Sequence, residues 1–308
     1  MTKWTAADIP DQRGTTVVIT GANSGLGLRS AEALAAKGAR VLLACRDAAK
    51  AAAALMAVKA TATGPEPEVV ALDLSSLASV AECAEQLGSE HDHLDVLMNN
   101  AGIMAVPKGT TADGFESQLG TNHLGHFALT GRVLPLLLAA PEPRVVSVSS
   151  NAHRFGRMHF DDLFFERSRY SRWKAYGQSK LANLLFTSEL QRRAVEAHTA
   201  LTALAAHPGY AATNLTSGPA IGAALLKPLL IVGDRLVGQP DHMGALPQLY
   251  AATMPDVLPD DYWGPDAFRE QRGHPTRVGR TARALDTDAA ARLWARSEEL
   301  TGVTYPWP

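Results

Sequence analysis

The chain has 308 residues, of which 46% are hydrophobic and 19% charged, the balance of a packed globular protein and not of a disordered one. Lys and Arg total 29 against 31 Asp and Glu, and the resulting charge of −2 offers no basic field to a nucleic-acid backbone or an acidic membrane. Cys45 and Cys83 stand far apart and outside any Cys-x-x-Cys, which excludes a disulfide framework and a cysteine-based zinc site and fits a reducing, cytoplasmic compartment. The N-terminal residues also lack the apolar centre of a secretory signal.

From Thr15 a β-branched run predicts a strand, ended by the turn Gly21-Ala22-Asn23-Ser24-Gly25-Leu26-Gly27. The apolar period then predicts a helix from Leu26 to Lys37, closed by Gly38. Arg40 to Ala44 reads as a second strand, Asp47 to Ala60 as an Ala-rich helix, and Val69 to Leu72 as a third strand. The same patterns predict a helix over Leu77 to Leu87, a strand over Leu94 to Met98, and one long helix from Phe115 to Leu138. Arg144 to Val148 is the fifth strand, Ala175 to Ala197 a second long helix, and Leu201 to Ala206 a sixth strand halted by His207-Pro208-Gly209.

Parallel strands need crossovers, and helices of a dozen residues supply them, so this alternation predicts a doubly wound α/β parallel sheet covered on both faces. No linker or composition shift divides the chain, which predicts one domain over 1–308, with a core at about 13–213 and a lid and C-terminal region at about 214–308. The apolar stretch from Ile221 to Val232 is interrupted by Lys227 and Pro228 and is far shorter than the ~20 residues of a membrane span. It reads as a covering helix or lid.

Glycines between a first strand and a first helix permit a tight turn, allow the backbone to approach a pyrophosphate, and leave helix N–H groups facing the anion. The spacing Thr-Gly-x-x-x-Gly-x-Gly over Thr20 to Gly27 resembles the short-chain dehydrogenase/reductase family, whose fold is a Rossmann sheet. Asp73-Leu74 after the third strand resembles the family's adenine contact, and Asn100-Ala101-Gly102, preceded by Asn99, its sheet-and-cofactor motif. Pro208 and Gly209 with Thr213 resemble the segment that the family places by the nicotinamide. The resemblance thus implies a cofactor held by Gly21, Asn23, Ser24, Gly25, Leu26, Gly27, Asp73, Leu74, Asn100, Ala101, Gly102, Pro208, Gly209 and Thr213, together with Tyr176 and Lys180. At the end of the second strand, where a carboxylate would accept from ribose hydroxyls, stands Cys45. The next residue is Arg46, whose guanidinium suits a 2′-phosphate, which predicts NADP(H) in preference to NAD(H).

Tyr176 and Lys180 lie one helical turn apart on one face, so a phenol and an ammonium can act together, and the lysine is expected to pull the phenol's pKa down. By the family's pattern Ser150, rather than Ser149, hydrogen-bonds the substrate oxygen, and Asn122 is the fourth catalytic residue, holding a water that links Lys180 to solvent. The implied reaction is hydride transfer between nicotinamide and a carbinol or carbonyl carbon, with Tyr176 moving the proton. The run from Thr121 to Thr130 and Tyr262-Trp263-Gly264-Pro265 resemble the retinol-dehydrogenase-like and protochlorophyllide-reductase-like branch. Ser150 and Tyr176 are 26 residues apart, room for an inserted loop that carries Phe155, Phe160, Phe164, Phe165, Tyr170 and Trp173. Such an aromatic wall suits a bulky lipophilic substrate.

No carboxylate or cysteine set accompanies His91-x-His93 or His123-x-x-His126, so no metal is expected. The competing reading is an NADP(H)-binding sensor or scaffold without turnover; the joint presence of Asn122, Ser150, Tyr176 and Lys180 argues against it. The resemblance further implies a homodimer or homotetramer formed through the two longest helices.

Overall fold

A computed structural model describes residues 3–210 and 239–308. Thr213 and the stretch from Ile221 to Val232 lie outside the described residues. The first half alternates as expected: β1 (Thr16–Thr20), α1 (Gly25–Ala35), β2 (Arg40–Cys45), α2 (Ala48–Lys59), β3 (Glu68–Ala71), α3 (Leu77–Glu90) and β4 (Val96–Asn99). Then follow α4 (Ser117–Leu119), a π-helical turn (Gly120–Leu124), α5 (Gly125–Arg132), α6 (Leu134–Leu138), β5 (Arg144–Val148), α7 (Arg172–Glu196) and β6 (Thr202–Ala206). The described C-terminal part adds α8 (Asp241–Gly244), α9 (Leu246–Thr253), β7 (Tyr262–Ala267), β8 (Arg272–Arg277) and α10 (Thr287–Thr301).

The strands form one sheet in the order β3-β2-β1-β4-β5-β6-β7-β8, parallel throughout except for the antiparallel β8. Covering both faces explains why β1 is a continuous apolar run. Val18 points into the core beneath α3, α5 and α7, whereas Val17 and Ile19 point into the opposite layer with Leu34 of α1 and Leu246 of α9. Asp47 caps α2 and Ser76 caps α3, each side chain accepting a first-turn N–H. Strand order reverses between β1 and β4, and the crevice outside the strand C-termini opens there.

Two expectations need correction. The predicted single helix from Phe115 to Leu138 is broken into four pieces. Pro135 in the first turn of α6 forces a break at Val133. Close approach at Gly125, where a Cβ would stand 2.3 Å from the Leu74 carbonyl, goes with the wider π-turn just before it. The C-terminal region, expected to be lid and decoration, also supplies two strands of the main sheet. Their prolines concealed them. Pro265 lies past the short parallel pairing of β7 with β6 and faces Pro275 on the edge strand β8, where a missing N–H is tolerated.

Helix α10 begins at the cap Asp286 and ends at Gly302, whose φ is +65°. It packs Trp294 against Phe127 of α5 and Phe186 of α7, at centroid distances of 5.0 and 5.9 Å, and Tyr305 donates to the Phe127 carbonyl at 2.8 Å. The face of α5 and α7 that carries these two rings is therefore covered by the chain's own C-terminus. No helix among the described residues is long and apolar enough to cross a membrane.

Candidate active site

The β1–α1 turn lines a cleft of about 310 Å³ with every expected member from Gly21 to Gly27, together with Arg46, Asp73, Leu74, Asn100, Ala101 and Gly102. Ser24 occupies the N-cap of α1 without a side-chain cap, so the first-turn N–H groups are left for an anion. Gly21 has φ +67°, and a Cβ at Gly27 would lie 2.5 Å from the Gly21 carbonyl. These are features of a cradle that admits backbone approach to a phosphate, and they fit a dinucleotide. Cys45 is buried at the end of β2, its thiol pushed up to about 11 by desolvation, and provides no carboxylate there. Arg46 is largely exposed and reaches Asp73 only at 3.7 Å, while Asp73 is engaged by the N–H and hydroxyl of Ser75.

Sequence reasoning missed Lys50, Ile103 and Thr121 on the cleft wall. Lys50 carried a usable signal: it is a cation in the first turn of α2, four residues after Arg46, and lines the same cleft. It also missed the buried Thr20 and His126. The Thr20 hydroxyl accepts the N–H groups of Asn100 and Ala101 at 3.0 and 2.9 Å and lies 2.8 Å from His126 Nε2.

Gly102 joins the cleft to the remaining site residues: a Cβ there would stand 3.3 Å from Asn122 Oδ1 and 3.4 Å from Lys180 Nζ. Within the π-turn Asn122 accepts from Ile103 N–H at 2.8 Å and donates to the Ile103 carbonyl and to Ser179, both at 2.9 Å. This straps the segment after β4 to α7. Lys180 is buried and donates to the Val148 carbonyl at 3.0 Å, with its ammonium 5.8 Å from the centroid of the Tyr176 ring. Ser149 is used structurally, its hydroxyl donating to the Lys180 carbonyl at 2.8 Å. Ser150 accepts from Ala152 N–H at 3.2 Å, and its hydroxyl lies near enough to the Tyr176 phenol to draw the phenol's pKa down against burial. Pro208 and Gly209 follow β6, and Gly209 has φ +67°.

The expectation that Lys180 pulls the Tyr176 pKa down is corrected. Burial pushes the phenol up to about 12, opposed only by the nearby Ser150 hydroxyl, and burial also pulls Lys180 down to about 8. The ammonium lies over the ring face instead of at the hydroxyl, so it does little for a phenolate. Tyr176 is thus a protonated acid at neutral pH.

The aromatic insert divides into two groups. Phe165 is buried against His159 and Tyr170, Phe164 packs on Phe115, Phe160 lies under Arg292, and Tyr170 donates to the Val106 carbonyl at 3.1 Å. These four hold the insert down. Trp173 is 55% exposed with its ring 6.2 Å from that of Tyr176, and Phe155 is 53% exposed and covers Gly177. Of the insert's six rings these two are exposed, with Trp173 beside the phenol.

The family model for short chain dehydrogenase matches residues 15–219. The chain belongs to the short-chain dehydrogenase family. It is 47% identical to human retinol dehydrogenase 12 over 292 residues, covering 95% of this chain and 88% of that protein. It is 40% identical to human retinol dehydrogenase 14 over 306 residues, covering 94% and 87%. A crystal structure of an uncharacterized protein from Mycobacterium Paratuberculosis superposes with a TM-score of 0.83 at 48% identity, covering 99% of this chain and all of that one. This short-chain dehydrogenase therefore sits in the retinol-dehydrogenase-like branch and is an NAD(P)-dependent oxidoreductase acting on an alcohol or carbonyl group.

Lys180 yields a stability prediction. Its pKa falls from 10.5 in the unfolded chain to about 8 in the folded one, so between these values the unfolded state binds more protons and stability from this group rises with pH. Lys180→Met, which keeps length and removes the charge, is expected to melt higher than the parent at pH 7, with the gap closing as the pH approaches 10.5. Equal melting temperatures at pH 7 would show that the ammonium carries no desolvation penalty.

Proposed function

We propose that this enzyme interconverts a carbonyl and an alcohol on a bulky lipophilic substrate in the cytoplasm, with NADP(H) preferred over NAD(H). The observation that carries the reading is the Ser150 hydroxyl facing the buried Tyr176 phenol with Lys180 beside it, joined through Gly102 to the glycine cleft. The nicotinamide cofactor, when bound, supplies or accepts the hydride. Ser150 polarises the substrate oxygen, and Tyr176, held protonated by burial, gives that oxygen a proton during reduction and recovers it during oxidation. Lys180, held on the Val148 carbonyl, sets a cation 5.8 Å from the centre of the phenol ring. Asn122 fixes the Gly102–Ile103 segment against α7 and so holds Lys180 and the cleft in register.

The basic pair Arg46 and Lys50, with Cys45 in place of a carboxylate, supports a 2′-phosphate at the adenosine end. The exposed rings of Trp173 and Phe155, and the relatives' name of retinol dehydrogenase, support a lipophilic substrate. The buried, free cysteines Cys45 and Cys83 accord with a reducing cytoplasm.

Tyr176→Phe is expected to lower kcat by about 10²–10⁴-fold, because it removes the dissociable proton and keeps the ring, while the Kd for NADPH stays nearly constant. Turnover within a few-fold of the parent removes Tyr176 from its role. Fluorescence titration is expected to give a Kd for NADPH about 10-fold or more below that for NADH, as about 1.5–3 kcal/mol for a charged hydrogen bond implies. The double substitution Arg46→Ala with Lys50→Ala erases most of that gap; equal parental affinities for the two cofactors contradict the preference. Across an aldehyde series kcat/KM is expected to climb with chain length, at up to about 0.8 kcal/mol per buried methylene, and Trp173→Ser to flatten the climb. A preference for short polar substrates would overturn the lipophilic reading.

A further inference from the structure

Beyond the residues matched to the family, the hairpin of β7 and β8 turns through Phe268, Arg269 and Glu270, with φ of 52°, 55° and 64°. Three consecutive non-glycine residues in the left-handed region persist only where contacts outside the turn hold them. Those contacts converge on Glu270. Its two carboxylate oxygens each accept from the Arg154 guanidinium at 2.9 Å, and its main-chain carbonyl accepts from the Asn151 side chain at 3.2 Å. Asn151 and Arg154 begin and end the short 3-10 turn that Ser150 caps. The Ser150 carbonyl is in turn held by the His153 N–H at 3.0 Å and by His153 Nδ1 at 2.7 Å.

The same carboxylate faces a second segment. His207 is buried at the end of β6, and its Nδ1 accepts the Gly209 N–H at 3.2 Å. A neutral ring used as an acceptor at Nδ1 carries its proton on Nε2, and Nε2 lies 3.4 Å from Glu270 Oε2. The next residue of the hairpin, Gln271, accepts the Tyr210 N–H at 2.7 Å, and its carbonyl would stand 2.3 Å from a Cβ at Gly209. Tyr262 packs between the rings of His153 and His207, at centroid distances of 5.6 and 5.2 Å.

We infer that Glu270 is a positioning residue for proton transfer, its carboxylate fixing the Ser150 turn against the His207–Gly209 corner so that the Ser150 hydroxyl stays in register with Tyr176. This rests on the Ser150–Tyr176 reading above. It adds a residue from outside the segment that carries the family's motifs. Arg154 supplies the charge that holds Glu270, and it is half-exposed, so it can be removed from the solvent side without opening the core.

Glu270→Ala is expected to lower kcat by about 10- to 100-fold, the scale on which a small displacement of a reacting group acts, while the NADPH Kd stays within twofold. Glu270→Gln, which keeps an acceptor for Arg154, is expected to restore most of the rate. Arg154→Ala should reproduce the loss, and the double variant should be no worse than either single one. A readout independent of turnover uses the fact that Cys45 and Cys83 are both buried. In a Ser150→Cys background the introduced thiol is expected to be alkylated severalfold faster when Glu270→Ala or Arg154→Ala is added. The inference is overturned by a kcat within twofold of the parent in both single variants, by an unchanged alkylation rate, or by losses of kcat, cofactor affinity and melting temperature that Glu270→Gln does not rescue. Should Tyr176→Phe retain full turnover, the dyad fails, and the alkylation rates still decide the role of Glu270.

Discussion

One hydroxyl holds the crevice between β1 and β4 in shape. Thr20 Oγ1 accepts two N–H groups from the far side, those of Asn100 and Ala101, and Asn100 Nδ2 returns a bond to the Thr20 carbonyl at 2.8 Å. Its one proton goes to His126 Nε2, because His126 Nδ1 donates to the Asn122 carbonyl at 3.0 Å. Burial pushes the His126 pKa down to about 4, so the ring stays neutral and this tautomer persists across the working pH range. A chain of three residues thus links the first glycine of the cradle to the π-turn that carries Asn122. Buried polar networks of this kind are stiff when fully satisfied, and every group here has a partner.

That linkage makes two regions distant in sequence one site. Gly27 leaves room that a Cβ would fill at 2.5 Å from the Gly21 carbonyl, and Gly102 fits closely between Asn122 and Lys180, where a Cβ would stand 3.3 and 3.4 Å from their polar atoms. The π-turn matters for the same reason. An ordinary α-helical continuation would rotate Asn122 away from Ile103, and the strap between β4 and α7 would be lost. The buried dyad then combines a phenol raised to about 12 with an ammonium lowered to about 8, an acid that keeps its proton beside a charge that burial has made costly.

The central strands, the glycine turn and the β-α alternation could be read from the sequence because each rests on local signals: β-branched runs, glycine spacing and helix periodicity. The break near Val133 was masked by the apolar period of Leu134 to Leu138, which continues across Pro135 as though the helix did. Strands β7 and β8 escaped because their glycines and prolines carry a turn signature, whereas their place at the sheet edge makes those residues acceptable. The pKa of Tyr176 was misjudged because sequence spacing gives proximity to Lys180 but not depth, and depth decides the sign. Likewise, nothing local distinguishes Phe165, which anchors the insert, from Trp173, which stays exposed.

The central claim is that the glycine cleft and the Ser150–Tyr176 pair serve one reaction, in which a hydride and a proton arrive at the same carbonyl from different sources. The most direct test is reduction of a lipophilic aldehyde with NADPH deuterated at the transferring C4 position, followed by mass spectrometry and proton NMR of the product. The account predicts one deuterium on the carbinol carbon, with the hydroxyl proton drawn from solvent. A product alcohol whose carbinol carbon carries no deuterium would contradict it, as would the absence of any cofactor-dependent product.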